Sequence, residues 1–300
     1  MRWFLGFCLI LVSLSLNIKA KAQDLDVTEI VATSDAFAAS PSDSTRAALL
    51  SALGAYSGEP TVQSVNAYIG LVMHDVQNQD NEATFESASA ATAHLQPISD
   101  ILPKQYIESR FVAAVAQFNT EQSPAAMLEM AHVKGFTRRH KDSLGERPDW
   151  AIDLGWKADA WDMAMEAFFE SVREAYPSDG ERRTIIDAYR TTEEEVVSRL
   201  SESGLPYCTG RMIQRPALRY PASKARNGKF GAVILGLELD ADGQVINPTV
   251  LASVPVEEFD EKSLRVVGKW KFRPDDRNAV GVTCDLQRTN IVQPLVFQLR

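Results

Sequence analysis

The sequence predicts an α+β protein in which an all-α helical-hairpin region is followed by a small β-β-α-β module. Three observations carry this. Residues 23–205 show helical spacing interrupted by Gly and Pro signals. From residue 230 onward the pattern changes to alternation at every second position. The charge also changes sign: residues 23–205 hold 14 basic and 30 acidic side chains, whereas residues 206–300 hold 14 basic and 10 acidic. A step of that size marks two modules, so the expected divisions are a leader at 1–22, an acidic helical domain at 23–205 and a C-terminal domain at 206–300.

The leader comes first. Arg2 precedes sixteen uncharged residues from Trp3 to Ile18, and Ala20-Lys21-Ala22 forms an A-x-A site before Gln23. This is the order of a secretory signal peptide. A spanning helix needs about 17–25 apolar residues, so the same run is marginal as a retained anchor, which is the alternative reading. Export places the protein in the periplasm, and retention places it on the inner membrane facing the periplasm. After Ala22 two cysteines remain, Cys208 and Cys284. An even count in an exported chain reads as one disulfide, against the alternative of two buried free thiols. Closing that loop contributes roughly 4 kcal/mol by chain entropy.

Next come the helices. Asp43 or Ser44 caps one that runs to about Tyr56 and stops at Gly58-Glu59-Pro60. Further helical patterns cover about 62–78, 83–95, 103–119, 123–134, 150–175 and 181–203, with proline-containing breaks between most of them. Short loops between short helices make antiparallel hairpins. Their size is similar to tetratricopeptide-like repeats, without a clean 34-residue period. Trp150, Trp156, Trp161, Phe168 and Phe169 read as core. The turn Arg138-Arg139-His140-Lys141 reads as pairing with nearby carboxylates, and Glu193-Glu194-Glu195 as a solvated face.

No constellation in the chain carries chemistry. His74, His94, His132 and His140 form neither an H-E-x-x-H pair nor a Cys/His ligand cluster. There is no G-x-S-x-G elbow, no P-loop and no G-x-G-x-x-G turn. The expectation is a non-enzyme without metal or cofactor. The net charge of −9 disfavours nucleic acid as a partner.

The C-terminal elements follow in order. Residues 230–240 alternate, with Val233, Leu235, Leu237 and Leu239 on one face and Ala232, Ile234 and Glu238 on the other. Asp240-Ala241-Asp242-Gly243 makes a tight turn. The return strand, 244–254, places Ile246, Val250, Ala252 and Val254 on one side. A helix from about Glu257 to Lys271 has acids at its start and bases toward its end, as the helix dipole favours. Its stripe of Phe259, Val266, Val267 and Trp270 covers the hairpin on one face. A last strand near 289–299 aligns Ile291, Leu295, Phe297 and Leu299.

These residues resemble the C-terminal domain of TonB-family energy transducers. The carriers are Tyr220-Pro221 followed by Ala225 and Gly228, Asp242-Gly243 in the hairpin turn, Phe259-Asp260 opening the helix, Trp270-Lys271-Phe272-Arg273-Pro274 closing it, and the apolar alternation of the last strand. The resemblance covers about 215–300. It implies binding of a short extended peptide, the TonB box of an outer-membrane TonB-dependent receptor or a similar envelope protein, by strand addition beside the last strand. The implied partner-binding residues are Arg219, Tyr220, Pro221, Thr289, Asn290, Ile291, Val292 and Gln293. Pro294 lacks an N–H, which suits an edge and limits pairing toward the 289–293 side. Arg211, Arg215, Arg219, Lys224, Arg226 and Lys229 either attract acidic surfaces or serve as dispersed solubilising charge.

Two departures bear on function. A family transducer has an anchor helix with a His that couples to ExbB–ExbD-type motor proteins, and residues 1–22 contain no His. It also has a long Pro-rich spacer, where this chain has helices. Three readings follow: a periplasmic adaptor, a membrane-anchored transducer with an unusual spacer, and a helical protein whose sheet is structural or forms a homodimer.

Overall fold

A computed structural model describes residues 27–189, 201, 203–208, 210–218, 220–221, 224, 226–274 and 284–298. The leader, most of the end of the expected 181–203 helix, Glu193-Glu194-Glu195, Arg219, Ala225 and Leu299 lie outside the described residues. The chain divides into two compact units, one ending at Ser123 and one starting at Pro124. The charge step at residue 205 therefore falls inside the second unit. Surface charge and core membership need not change at the same residue.

The first unit is helical. Its elements are α1 (Thr28–Ala39), α2 (Asp43–Ala55), α3 (Val62–Gln77), α4 (Asn81–Leu95) and α5 (Pro103–Glu121). The cap of α2 is Ser42, not the expected Asp43 or Ser44: its Oγ accepts from the Thr45 N–H at 3.3 Å. Thr61 and Ser64 form the same reciprocal box on α3, and Asp80 caps α4. Each cap satisfies an amide that the helix itself leaves unpaired. Sequence reading passes over α1 because Val27, ahead of it, has no capping side chain. Consecutive helices pack as hairpins around Leu49, Leu53, Tyr68, Leu71 and Ala91. Buried Asp75 receives the Arg46 guanidinium at 2.8 and 2.9 Å, which ties α2 to α3.

The second unit begins with α6 (Ala125–Arg139), α7 (Asp149–Val172) and α8 (Asp179–Asp187). Arg138 pairs with Asp159 at 2.7 Å, as expected for the basic turn. Trp161 and Phe169 are buried. The strands are β1 (Tyr207–Cys208), β2 (Arg211–Gln214), β3 (Gly231–Leu239), β4 (Val245–Val254), β5 (Lys271–Arg273), β6 (Asp285–Leu286) and β7 (Ile291–Phe297), and α9 (Asp260–Val267) follows β4. The main sheet has the order β4-β3-β7, all antiparallel. β1 pairs with β6, and β2 with β5. Cys208 and Cys284 form a disulfide beside the β1–β6 pair, closing a separation of 76 residues.

Three expectations about this module change. The helix is α9 alone, shorter at both ends than 257–271. Glu257 sits at φ 62, outside helical space, and 271–273 are taken into a strand by β2. β4 does not alternate simply. Its register slips opposite Ile234/Leu235 and Gly236/Glu238, and Asn247 takes φ 45. Each slip exchanges faces. Val245, not Ile246, therefore joins the core, and Ile246 is exposed. Val250 remains on the core face opposite Leu235, while Ala252 and Val254 face the other way, opposite Ile234 and Ala232.

The last change is the largest: the sheet is covered on both faces. α9 and Trp270 cover Val233, Leu235, Leu237, Ile291, Leu295 and Phe297. On the opposite face Ala232 and Ile234 are also buried, at 0% and 2% exposure, where α7 packs on β3 and β4.

Candidate functional site

The candidate site is the side of β7 that no strand pairs among the described residues. Its other side pairs with β3 through seven consecutive residue pairs, from Gly231 with Phe297 to Leu237 with Ile291, without a slip. The direction of each backbone group follows from the neighbouring bonds. Leu239 N–H donates toward β7, to Arg288 O at 2.8 Å, whereas Asp240 N–H donates to the other side, to Gln244 O at 3.0 Å. Alternation then turns the amides of residues 231, 233, 235 and 237 toward β7. Their partners 291, 293, 295 and 297 turn inward, and Val292, Pro294 and Val296 present N and C=O to the open edge. The missing N–H of Pro294 therefore costs the β3–β7 ladder nothing.

Side chains sort by the same parity. Ile291, Leu295 and Phe297 are core, while Val292 and Val296 are 48% and 44% exposed. Gln293 folds its amide over the edge, with Nε2 donating to Pro294 O at 3.2 Å. Thr289 and Asn290 form the bend before β7, and their carbonyls accept from Gln287 Nε2 at 2.9 and 3.3 Å. Asn290 holds φ 55 there, a conformation Asn tolerates better than most residues.

The opposite edge of the sheet differs. The start of β4 is bonded to 270–272, with Val245 N–H donating to Trp270 O at 3.0 Å and Phe272 N–H to Gly243 O at 2.8 Å. The rest of β4 carries its two slips and Pro248, features that blunt an edge.

The expected site residues do not all converge. Thr289, Asn290, Ile291, Val292 and Gln293 are consecutive at the start of β7, but the Ile291 side chain belongs to the core. Tyr220 lies at the far end of the strand. Its ring meets Phe259 and Phe297 edge-on at 5.9 and 6.0 Å, and Phe259 stacks on Phe297 at 4.2 Å. Burial raises the Tyr220 hydroxyl pKa. Pro221 opens the adjoining turn, accepting from Lys224 N–H at 2.9 Å. Tyr220 thus acts on β7 by packing under its end at Phe297, about 23 Å along an extended strand from Asn290. Arg219 lies outside the described residues. Val296 was missed by sequence reasoning, although its phase, opposite to Leu295 and Phe297, signals the same outward position as Val292.

The basic approach is partly neutralised. Lys224 and Lys229 both pair with Glu258, the latter at 2.9 Å, and the Arg215 guanidinium lies 5.7 Å from the Trp270 ring centre. Among the described residues, no three His, Cys, Asp or Glu side chains are grouped to hold a metal ion.

A three-stranded antiparallel sheet with one helix on the Trp270 side and an open last strand defines a class, and comparison with known families agrees. Residues 216–292 match the family model of the Gram-negative bacterial TonB protein C-terminal, so that stretch is similar to a TonB C-terminal domain. A curated relative is Protein TonB of Vibrio cholerae serotype O1 (strain ATCC 39315 / El Tor Inaba N16961), 32% identical over 78 residues. That stretch covers 24% of this chain and 32% of the relative, so the chain matches about a third of that protein's length.

Proposed function

We propose that the TonB C-terminal domain binds an extended, TonB-box-type segment of an outer-membrane TonB-dependent receptor or similar envelope protein by strand addition at β7. The helical region acts as a protein-interaction adaptor in the periplasm. The observation that supports this most is the open edge at Val292 and Val296, two amides and three carbonyls turned away from β3 on a strand whose other face is core. Main-chain bonds there supply affinity, and the flanking valines favour apolar residues in the guest.

Val292→Pro removes one of the two outward amides. A synthetic TonB-box peptide is expected to bind the variant about five- to tenfold more weakly, the value of one or more hydrogen bonds. Unchanged affinity in a titration, with an unchanged melting temperature, would overturn the edge assignment.

Among the described residues no helix is long and apolar enough to cross a membrane. The leader lies outside them, so the adaptor and the ExbB–ExbD-coupled transducer separate by its fate. Intact mass on fractionated cells is expected to show a periplasmic chain starting at Gln23. A full-length chain in the inner membrane would favour the transducer.

A further inference from the structure

We propose that Pro294 is the specificity-determining residue of the β7 edge, admitting a guest strand while disfavouring a second copy of this chain. The inference rests on the strand-addition reading for the guest. Pro294 stands midway between the two outward amides, and its own outward position has no N–H. Its carbonyl accepts from the Gln293 amide at 3.2 Å, which uses one of its two lone pairs. The centre of the edge therefore offers no donor, and an acceptor with one lone pair left for an added strand, while both ends are open.

The consequence differs for the two kinds of strand. An edge with three outward residues can exchange six main-chain bonds with an added strand, one donor and one acceptor at each position. A guest with its own amides meets a single Pro294 and loses one bond. Two copies pairing edge to edge about a two-fold axis bring two Pro294 residues and lose two. In the centred arrangement each copy's Val292 lies opposite the other copy's Val296, and the two proline rings meet where the central bonds would form. Every other arrangement of the pair keeps both missing donors. Without this device, an edge flanked by half-exposed Val292 and Val296 would be a template for self-pairing. β4 does not need it, because its slips and Pro248 already blunt that side.

The test is a four-way cycle with the exported chain carrying Pro294 or Pro294→Ala. The guest is a nine-residue peptide copying residues 290–298, with either Pro or Ala at the same place. The number of missing donors is then two, one, one or none. Affinity is expected to rise about fivefold for each donor restored, the worth of one hydrogen bond. Self-association of Pro294→Ala, by sedimentation, is expected to tighten about 25-fold, since two bonds return. Adding Val292→Pro to Pro294→Ala should reverse the gain, which a purely structural effect of the alanine would not do. Equal affinities across the cycle, or a Pro294→Ala chain that self-associates no more strongly than wild type, would overturn the proposal. If no peptide binds any chain but Pro294→Ala still self-associates, strand addition to guests fails and the role of Pro294 against self-pairing stands.

Discussion

Ile234→Asp is expected to destabilise the second unit by about 4–5 kcal/mol, enough to unfold it in mild denaturant. Ile234 is 2% exposed on the sheet face opposite Trp270, where α7 packs. A carboxylate there would be desolvated. Val292 lies on the same face of the same sheet but is 48% exposed. Val292→Asp should therefore change stability by no more than about 0.5 kcal/mol. Urea unfolding of both variants reads the difference directly. Equal, small effects would mean that α7 does not cover this face. The same logic makes 206–300 an incomplete folding unit, since Ala232, Ile234, Ala252 and Val254 would all lose their cover.

Asp162→Ala is expected to cost about 3–5 kcal/mol, the range for breaking a buried ion pair from one side. Asp162 lies on α7 and is 6% exposed. It accepts from Lys134 Nζ on α6 at 2.6 Å and from the Arg182 guanidinium on α8 at 2.9 Å. Both cations are themselves buried. Burial works against the Arg182 charge, but Asp162 and Glu166 more than offset it, and the guanidinium pKa stands above its ordinary value. Removing Asp162 leaves Asp159 for Lys134, and Glu166 and Asp179 for Arg182, all of them more exposed. The check is urea unfolding of Asp162→Ala beside Lys134→Met/Asp162→Leu. The double change, which removes one cation together with the anion, should cost less than the single one. A single variant as stable as wild type would mean the cluster is solvated.

These two effects mark where sequence reading stopped. The alternation of Val233, Leu235, Leu237 and Leu239 predicted the α9 face of β3 correctly, because a two-residue period is a local property. Ala232 and Ile234 were placed on the other face, but nothing local says whether that face meets water or a helix some 70 residues upstream. Lys134, Asp162 and Arg182 gave no signal at all. They are ordinary polar residues on three helices, and only packing makes them one buried group. The slips in β4 escaped for a similar reason: Asn247-Pro248 is a visible irregularity, but the partner strand decides which residues change face.

The sequence by itself determined the order of the helices from α2 to α7, the hairpin, the resemblance of 215–300 to TonB C-terminal domains, and the Cys208–Cys284 pairing as the favoured reading. Each depends on spacing or composition along the chain. Pro294 already marked the last strand as an edge; the tertiary structure alone decided that Val292, Pro294 and Val296 face outward from it and that Tyr220 lies at its far end beneath Phe297. Those facts depend on which strand pairs with which and in what register, and pairing is set by burial across the whole unit rather than by any single segment.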